Sequence, residues 1–307
     1  MGSDEGGVTG TGGDAASHHP TTPPPRHPAS RRTSSCWPSA SAVVLALVLA
    51  PLDVRAQAVA APADSLTKAQ MAHFLSTAKV VAHRSIPKGV TRPVRVTLSD
   101  GTLTHDAAFS FVEQRSPAMR LANGKMEFNF VDSYTYSIAA YRVAELIGMD
   151  DMIPVTVERQ WDDRTGALSW WIDAKWDEAS RLKEQAQPPD PDSWNRQKHR
   201  MRVFTTLLAD TDRNQGNVLI TSDWKLWIID FTRAFRRTPT LLEPQGLTRC
   251  ERGLLAALRA LKREDVKAAT RRYLRRSDID ALMARRDAIV ALFDRRVAEL
   301  GEASVLY

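Results

Sequence analysis

The chain has 307 residues, 43% of them apolar, 25% charged and 7% aromatic, with a formal charge of +6. This composition excludes wholesale disorder, a collagen-like repeat and a multi-span membrane protein, and it allows a sizeable core or two packed lobes. Two cysteines, Cys36 and Cys250, exclude a disulfide scaffold and a cysteine zinc site.

Residues 1–35 are rich in Gly, Ser, Thr and Pro and read as a disordered leader. Arg31-Arg32 then precede an apolar stretch from Ala42 to Leu52, which falls short of the ~20 residues that span a bilayer. Ala56-Gln57-Ala58 supplies a small-x-small cleavage pattern. The reading is a signal peptide over 36–58, a linker over 59–64 and export to the periplasm or exterior, in preference to an N-terminal membrane anchor. Membrane association is compatible with this reading and not required by it. The positive excess concentrates beyond Arg249, where solvated helix faces account for it. No aromatic interleaving or nucleic-acid motif accompanies the charge, so no nucleic-acid partner is expected.

Ser65 can cap a short helix running to about Ala78. From Lys79 to Val112 the pattern is that of strands, with Val94, Val96 and Leu98 alternating and Asp100-Gly101 marking a hairpin. Residues 132–148 switch to helical period and end at Gly148. Ile153–Trp161 and Ala167–Ile172 form a further hairpin, in which at least one of Trp170 and Trp171 is core. Gln187–Asp192 reads as a loop between a β-rich lobe with one long helix (65–186) and a helical lobe (187–307). In the second lobe a helix over Arg196–Ala209 leads to a short hairpin at 218–229. Helices dominate from about Arg249, the last capped by Ser277, and Arg271-Arg272 and Arg285-Arg286 are expected at the surface. The fold class is α+β.

The chemistry-bearing residues lie around this hairpin. Asp210-Thr211-Asp212-Arg213-Asn214-Gln215-Gly216-Asn217 follows the helix, and an apolar strand ends in Ile229-Asp230-Phe231. Strand pairing brings Asn217 and Asp230 to one end. Phosphoryl transfer needs such a set: a carboxylate for the acceptor hydroxyl, and an amide and a carboxylate for metal ions. Two other readings compete. Asp210-x-Asp212-x-Asn214 begins like a calcium loop, but Gln215 and Thr221 stand where Gly and Glu are required. Turn capping by Asp and Asn explains the residue types but not their intervals.

Asp212-Arg213-x-x-x-Asn217 with Ile229-Asp230-Phe231 resembles the atypical branch of the protein-kinase superfamily. That branch includes phosphatidylinositol 3- and 4-kinase-like enzymes, secretory-pathway kinases and HipA-type bacterial kinases. The resemblance implies a two-lobed kinase-like fold, with Asp212 as base, Arg213 as an orienting side chain, and Asn217 and Asp230 as ligands of Mg²⁺ or Mn²⁺. It gives Asp210 no role. ATP or another nucleoside triphosphate would donate a phosphoryl group to a hydroxyl acceptor, whether protein, lipid or small molecule. The sequence departs from the family on the third strand, where Ser110 or its neighbour replaces the phosphate-gripping lysine. Lys88 and Gly89, on the loop that would cover the phosphates, are the substitute cofactor-binding residues. Glu127, just before the long helix, and Asp132, at its start, are the candidate acids. These departures leave a rival reading open, a pseudokinase acting as a nucleotide- or partner-binding module in the envelope. His73, His83, His105 and His199 show no metal-ligand spacing, and Cys250 has no neighbouring base to make it a nucleophile.

Overall fold

The computed structural model describes residues 66–86, 93–121 and 124–307. The expected leader, signal peptide, linker and Ser65 cap, and the loop with Lys88 and Gly89, lie outside the described residues.

Thr67 caps α1 (Lys68–Thr77) through a reciprocal capping box with Gln70. β1 (Lys79–Ser85), β2 (Val94–Ser99) and β3 (Thr104–Ser110) form a meander, and Asp100 accepts the Thr102 and Leu103 N–H groups at their turn. A hairpin of β4 (Glu113–Arg120) and β5 (Met126–Ser133), unforeseen in the sequence, stands apart as its own two-stranded sheet. Its strands are largely exposed and carry no clean alternation. α2 (Tyr134–Ile147) begins on the Ser133 cap and stops at Gly148, which takes the left-handed φ of 69° that glycine accepts without cost. β6 (Thr156–Trp161) and β7 (Arg164–Trp170) complete an antiparallel sheet of order β1-β2-β3-β7-β6.

Alternation divides this sheet. Val96, Leu98, Ala107, Phe109, Leu168 and Trp170 are buried on one face, where Phe74 of α1 meets Trp170 edge-on at 5.9 Å. Arg95, Thr97, Asp106, Ala108 and Ser110 share the other face. A Cβ at residue 166 would lie 2.5 Å from the Ser110 carbonyl oxygen and 2.7 Å from the Phe109 ring, so β3 and β7 meet only because Gly166 is there.

The second lobe holds a small sheet in which β8 (Trp176–Asp177) pairs with β9 (Val218–Ile220), and β9 with β10 (Leu226–Ile228). β8 and α3 (Glu178–Lys183), expected in the first lobe, thus sit against this second sheet. α4 (Pro191–Leu208) starts earlier than Arg196. Asp190 accepts the Asp192 and Ser193 N–H groups, and Pro191 is preorganised for the first turn. α5 (Arg252–Ala260), α6 (Arg263–Thr270), α7 (Arg276–Leu300) and α8 (Glu302–Val305) follow. Ser277 is not the cap of α7, which starts at Arg276 with Asp278 accepting the Arg275 N–H at 2.9 Å. Among the described residues no helix is long and apolar enough to cross a membrane.

Arg271 and Arg272 are exposed, as expected, but Arg285 is not. It is fully buried, its Nε donating to the Leu207 carbonyl at 2.8 Å and its Nη1 to those of Arg236 and Thr238 at 2.7 and 2.6 Å. Burial lowers its pKa to about 10. The guanidinium satisfies carbonyls at the end of α4 and in the segment after Asp230, a need that charge patterning does not reveal. Arg286 is also drawn in, donating to the Leu258 and Leu261 carbonyls. Arg285→Lys keeps the charge but cannot span three carbonyls. We expect calorimetry to show a loss of about 2 kcal/mol.

Candidate active site

α4 ends in Ala209, whose left-handed backbone (φ 46°, ψ 54°) turns the chain sharply into the Asp210–Asn217 loop. Asp210, its side chain fully enclosed, accepts the Asp212 N–H at 3.1 Å and the Arg213 Nε at 2.9 Å. The Arg213 Nη1 donates to the carbonyls of Asn217 at 2.8 Å and Ile229 at 2.6 Å, and its Nη2 to that of Asp230 at 3.4 Å. Arg213 also covers the buried Phe231 ring at 4.7 Å. One guanidinium therefore ties the loop bearing Asp212 to the strand end bearing Asp230. Asp210, without a role in the sequence reading, is its counter-ion. The signal available was an Asp three residues before an Arg in an otherwise polar loop.

Asn217 closes a 3-10 turn (Gln215–Asn217) capped by Asn214. Its Nδ2 donates to the Asp212 carbonyl at 3.0 Å, which leaves Oδ1 as an acceptor with no hydrogen bond among the described residues. Asp230 adopts φ 56°, a left-handed value that Asp tolerates better than most residues. Its Oδ1 accepts the Thr232 hydroxyl at 2.9 Å. One side of Asp230 opens to solvent, yet the protein packed around it removes enough water to raise its carboxyl above the usual range, and Asp212 adds to this. Asp132, at the end of β5, is raised in the same way, first by burial and then by Asp230 and Asp212. Its buried Oδ1 has no hydrogen-bond partner among the described residues. The Ser133 N–H donates to the Thr232 carbonyl at 2.9 Å and so fastens this end of β5 to the segment after Asp230.

Asp212, Asn217, Asp230 and Asp132 thus share one region, with two raised carboxyls, an orphaned carboxylate oxygen and a free amide oxygen. These hard oxygen donors fit a divalent cation such as Mg²⁺ or Mn²⁺. No three His, Cys, Asp or Glu side chains among the described residues close into a metal cage.

The residues expected above this region are only partly there. Ser110 lies on the sheet face with Ala108, and no lysine stands beside it on β3. Arg95, opposite Ala108, donates to Asp106 at 2.5 Å and lies over the Trp171 ring at 4.0 Å. Burial opposes ionisation of Asp106, but the Thr97 hydroxyl and Arg95 outweigh it and hold its carboxyl below the usual range. Glu127 is engaged at both oxygens, by Arg233 at 2.5 Å and by Arg236. These arginines, unforeseen in the sequence, join the β4–β5 hairpin to the segment after Asp230. Two clefts, of about 440 and 380 Å³, are lined by other residues. Cys250 is buried, its thiol pushed up to about 12 first by burial, which suits a packing residue. The ion pair between Asp210 and Arg213 commits a carboxylate that a calcium loop would need.

No protein-family model matches the chain, and no curated protein matches it in sequence. Solved structures do. Hydra Fam20 with sugar superposes with a TM-score of 0.55 at 15% identity, covering 78% of this chain and 91% of that one. The Golgi casein kinase gives 0.55 at 11% identity, with 78% of each chain covered. The same kinase with Mn/ADP bound gives 0.55 at 10% identity over the same shares. The chain therefore shares the protein-kinase-like fold of these structures, a β-sheet lobe joined to a helical lobe, as the resemblance of the Asp212–Asp230 motifs implied.

Proposed function

We propose that the protein is an exported phosphotransferase, moving the γ-phosphoryl group of ATP or another nucleoside triphosphate to a hydroxyl acceptor. The observation that carries this reading is the free Asn217 Oδ1 and the unpartnered Asp132 Oδ1 beside Asp230 and Asp212. Asp212 orients the acceptor hydroxyl and takes its proton. Arg213 and Asp210 keep Asp212, Asn217 and Asp230 in register. A bound Mg²⁺ or Mn²⁺, held by Asp230, Asn217 and Asp132, would neutralise phosphate charge. The ligands of the fold neighbours, Mn with ADP in one and a sugar in another, support the same cofactor and acceptor classes. Export rests on the apolar 42–52 stretch and the cleavage pattern after it. Lys88 and Gly89 are the proposed phosphate contacts.

A second reading, a weak or inactive pseudokinase, is favoured by Ser110 in place of lysine and by Arg95 held against Trp171. Thermal unfolding with ATP and Mn²⁺, beside a phosphate-release assay, separates the two. A ligand at 100 times its Kd should add about 2.7 kcal/mol. On the enzyme reading, Asp212→Ala keeps this shift and lowers turnover about 10²–10⁴-fold. A shift without turnover, unaltered in Asp212→Ala, identifies a pseudokinase. No shift with any nucleotide–metal pair rejects both.

A further inference from the structure

α2 and α6 pack directly against each other, joining the two lobes. A cleft of about 380 Å³ lies along this junction, lined by the last turns of α2 and by the end of α6 with the residues after it. It is distinct from the candidate active site. Asp132 and Ser133 precede the first turn of α2, and Arg142 and Leu146 lie about 14–20 Å further along its axis.

The chemistry of this cleft is uneven. Arg142 comes from α2, and Arg271 and Arg272 come from the other lobe. Between them the lining is apolar, with Leu146, 37% exposed, and Ala268 and Ala269. Glu145, the one acid lining it, is tied to Arg142 at 2.8 Å, and Arg272 is tied to Glu158 at 2.9 Å. Arg271 is exposed and makes no ion pair among the described residues. Lys267, Arg275 and Arg276, beside it in sequence, are exposed as well. Leu146 and Arg271 line the same cleft, and both keep surface open to solvent. Arg271 offers a planar fork suited to carboxylate, and Leu146 offers an apolar contact beside it.

We infer that this cleft docks an acidic peptide segment in which an aliphatic side chain accompanies the carboxylates. The aliphatic group would lie on Leu146 and Ala269 while a carboxylate reaches Arg271, so one bound chain touches both lobes. A bilayer is a poorer fit, because Leu146 is the one exposed large apolar side chain among the described lining residues and leaves little to insert.

The test uses the full chain and a fluorescein-labelled peptide of alternating glutamate and leucine, read by anisotropy. A control peptide replaces each glutamate by glutamine. We expect the acidic peptide to bind at least ~10-fold more tightly than the control, with the preference shrinking as salt is raised. Arg271→Glu on one wall and Leu146→Glu on the other should each weaken it by ~10-fold or more. Arg271 is exposed and Leu146 partly so, and the two variants check each other if one fails to fold. Equal binding of the two peptides, or binding indifferent to both substitutions, overturns the proposal. So does absent peptide binding with Arg271-dependent binding to phosphatidylserine vesicles, which would make the surface a lipid contact. Phosphotransfer does not enter this readout, so its outcome is independent of the proposed activity.

Discussion

Asp230→Asn should abolish the response to Mn²⁺ while raising the thermal stability of the metal-free protein at neutral pH. The two effects have one cause. Asp230 and Asp132 are crowded by protein, the charge of Asp230 acts on Asp132 and that of Asp212 on both, so their carboxyls are raised above the ordinary aspartate range. A raised carboxyl means that the folded state holds its proton more tightly than the unfolded chain. Each group therefore costs stability progressively as pH rises from the ordinary value through its folded value. Asparagine removes that cost, keeps Oδ1 as acceptor for the Thr232 hydroxyl, and tolerates the left-handed backbone at this position. It also removes the negative charge that a cation would neutralise. Parent Mn²⁺ affinity should rise with pH as these protons leave, and the variant should show at least ~100-fold weaker binding with a flatter pH profile. Calorimetry across pH, with and without Mn²⁺, checks both halves. A variant that keeps the metal response would remove Asp230 from the donor set. A variant less stable than the parent at pH 7 would show that crowding is not what raises this carboxyl.

Arg213→Lys should cost about 3 kcal/mol, a fall of roughly 6–12 °C in Tm for a protein of this size. The planar guanidinium serves the enclosed Asp210 and the carbonyls of Asn217, Ile229 and Asp230 at once. An ammonium is a point donor and can serve only part of that set. The remaining carbonyls are left to compete for it, and the strand end bearing Asp230 loses its tie to the loop bearing Asp212. On the proposed mechanism, turnover measured well below the variant's Tm should drop about 10²-fold, because loosened positioning by ~1 Å has that scale of effect. A double-mutant cycle with Asp210→Asn separates this pair from its surroundings. Coupling of ~2 kcal/mol or more is expected for an enclosed ion pair, and simple additivity would show that Arg213 works through the carbonyls alone.

Much of this arrangement could be read from local pattern. The alternation of Val94, Val96 and Leu98, the helical period before Gly148 and the Asp100 turn are one-dimensional signals, because each depends on neighbours within a few residues. The meeting of Asn217 with the strand end at Asp230 was legible for the same reason. A hairpin with a turn at Ser222-Asp223 brings its two ends together whatever else the protein does. The β4–β5 hairpin was not legible, since its strands are mostly exposed and share no hydrophobic period.

What sequence determined by itself was the order of elements and the chemical types gathered at one hairpin, because propensity and periodicity act through the backbone over short range. Tertiary structure alone decided which charges are used internally. Arg285 looks like half of a surface pair, yet it is drawn inside by three carbonyls that come from α4 and from the segment after Asp230. Asp210 and Arg213 find each other in a loop, but their value lies in carbonyls that follow later in the chain. Buried polar groups must be satisfied wherever the fold leaves them, and that requirement is set by contacts between distant segments, which no local pattern encodes.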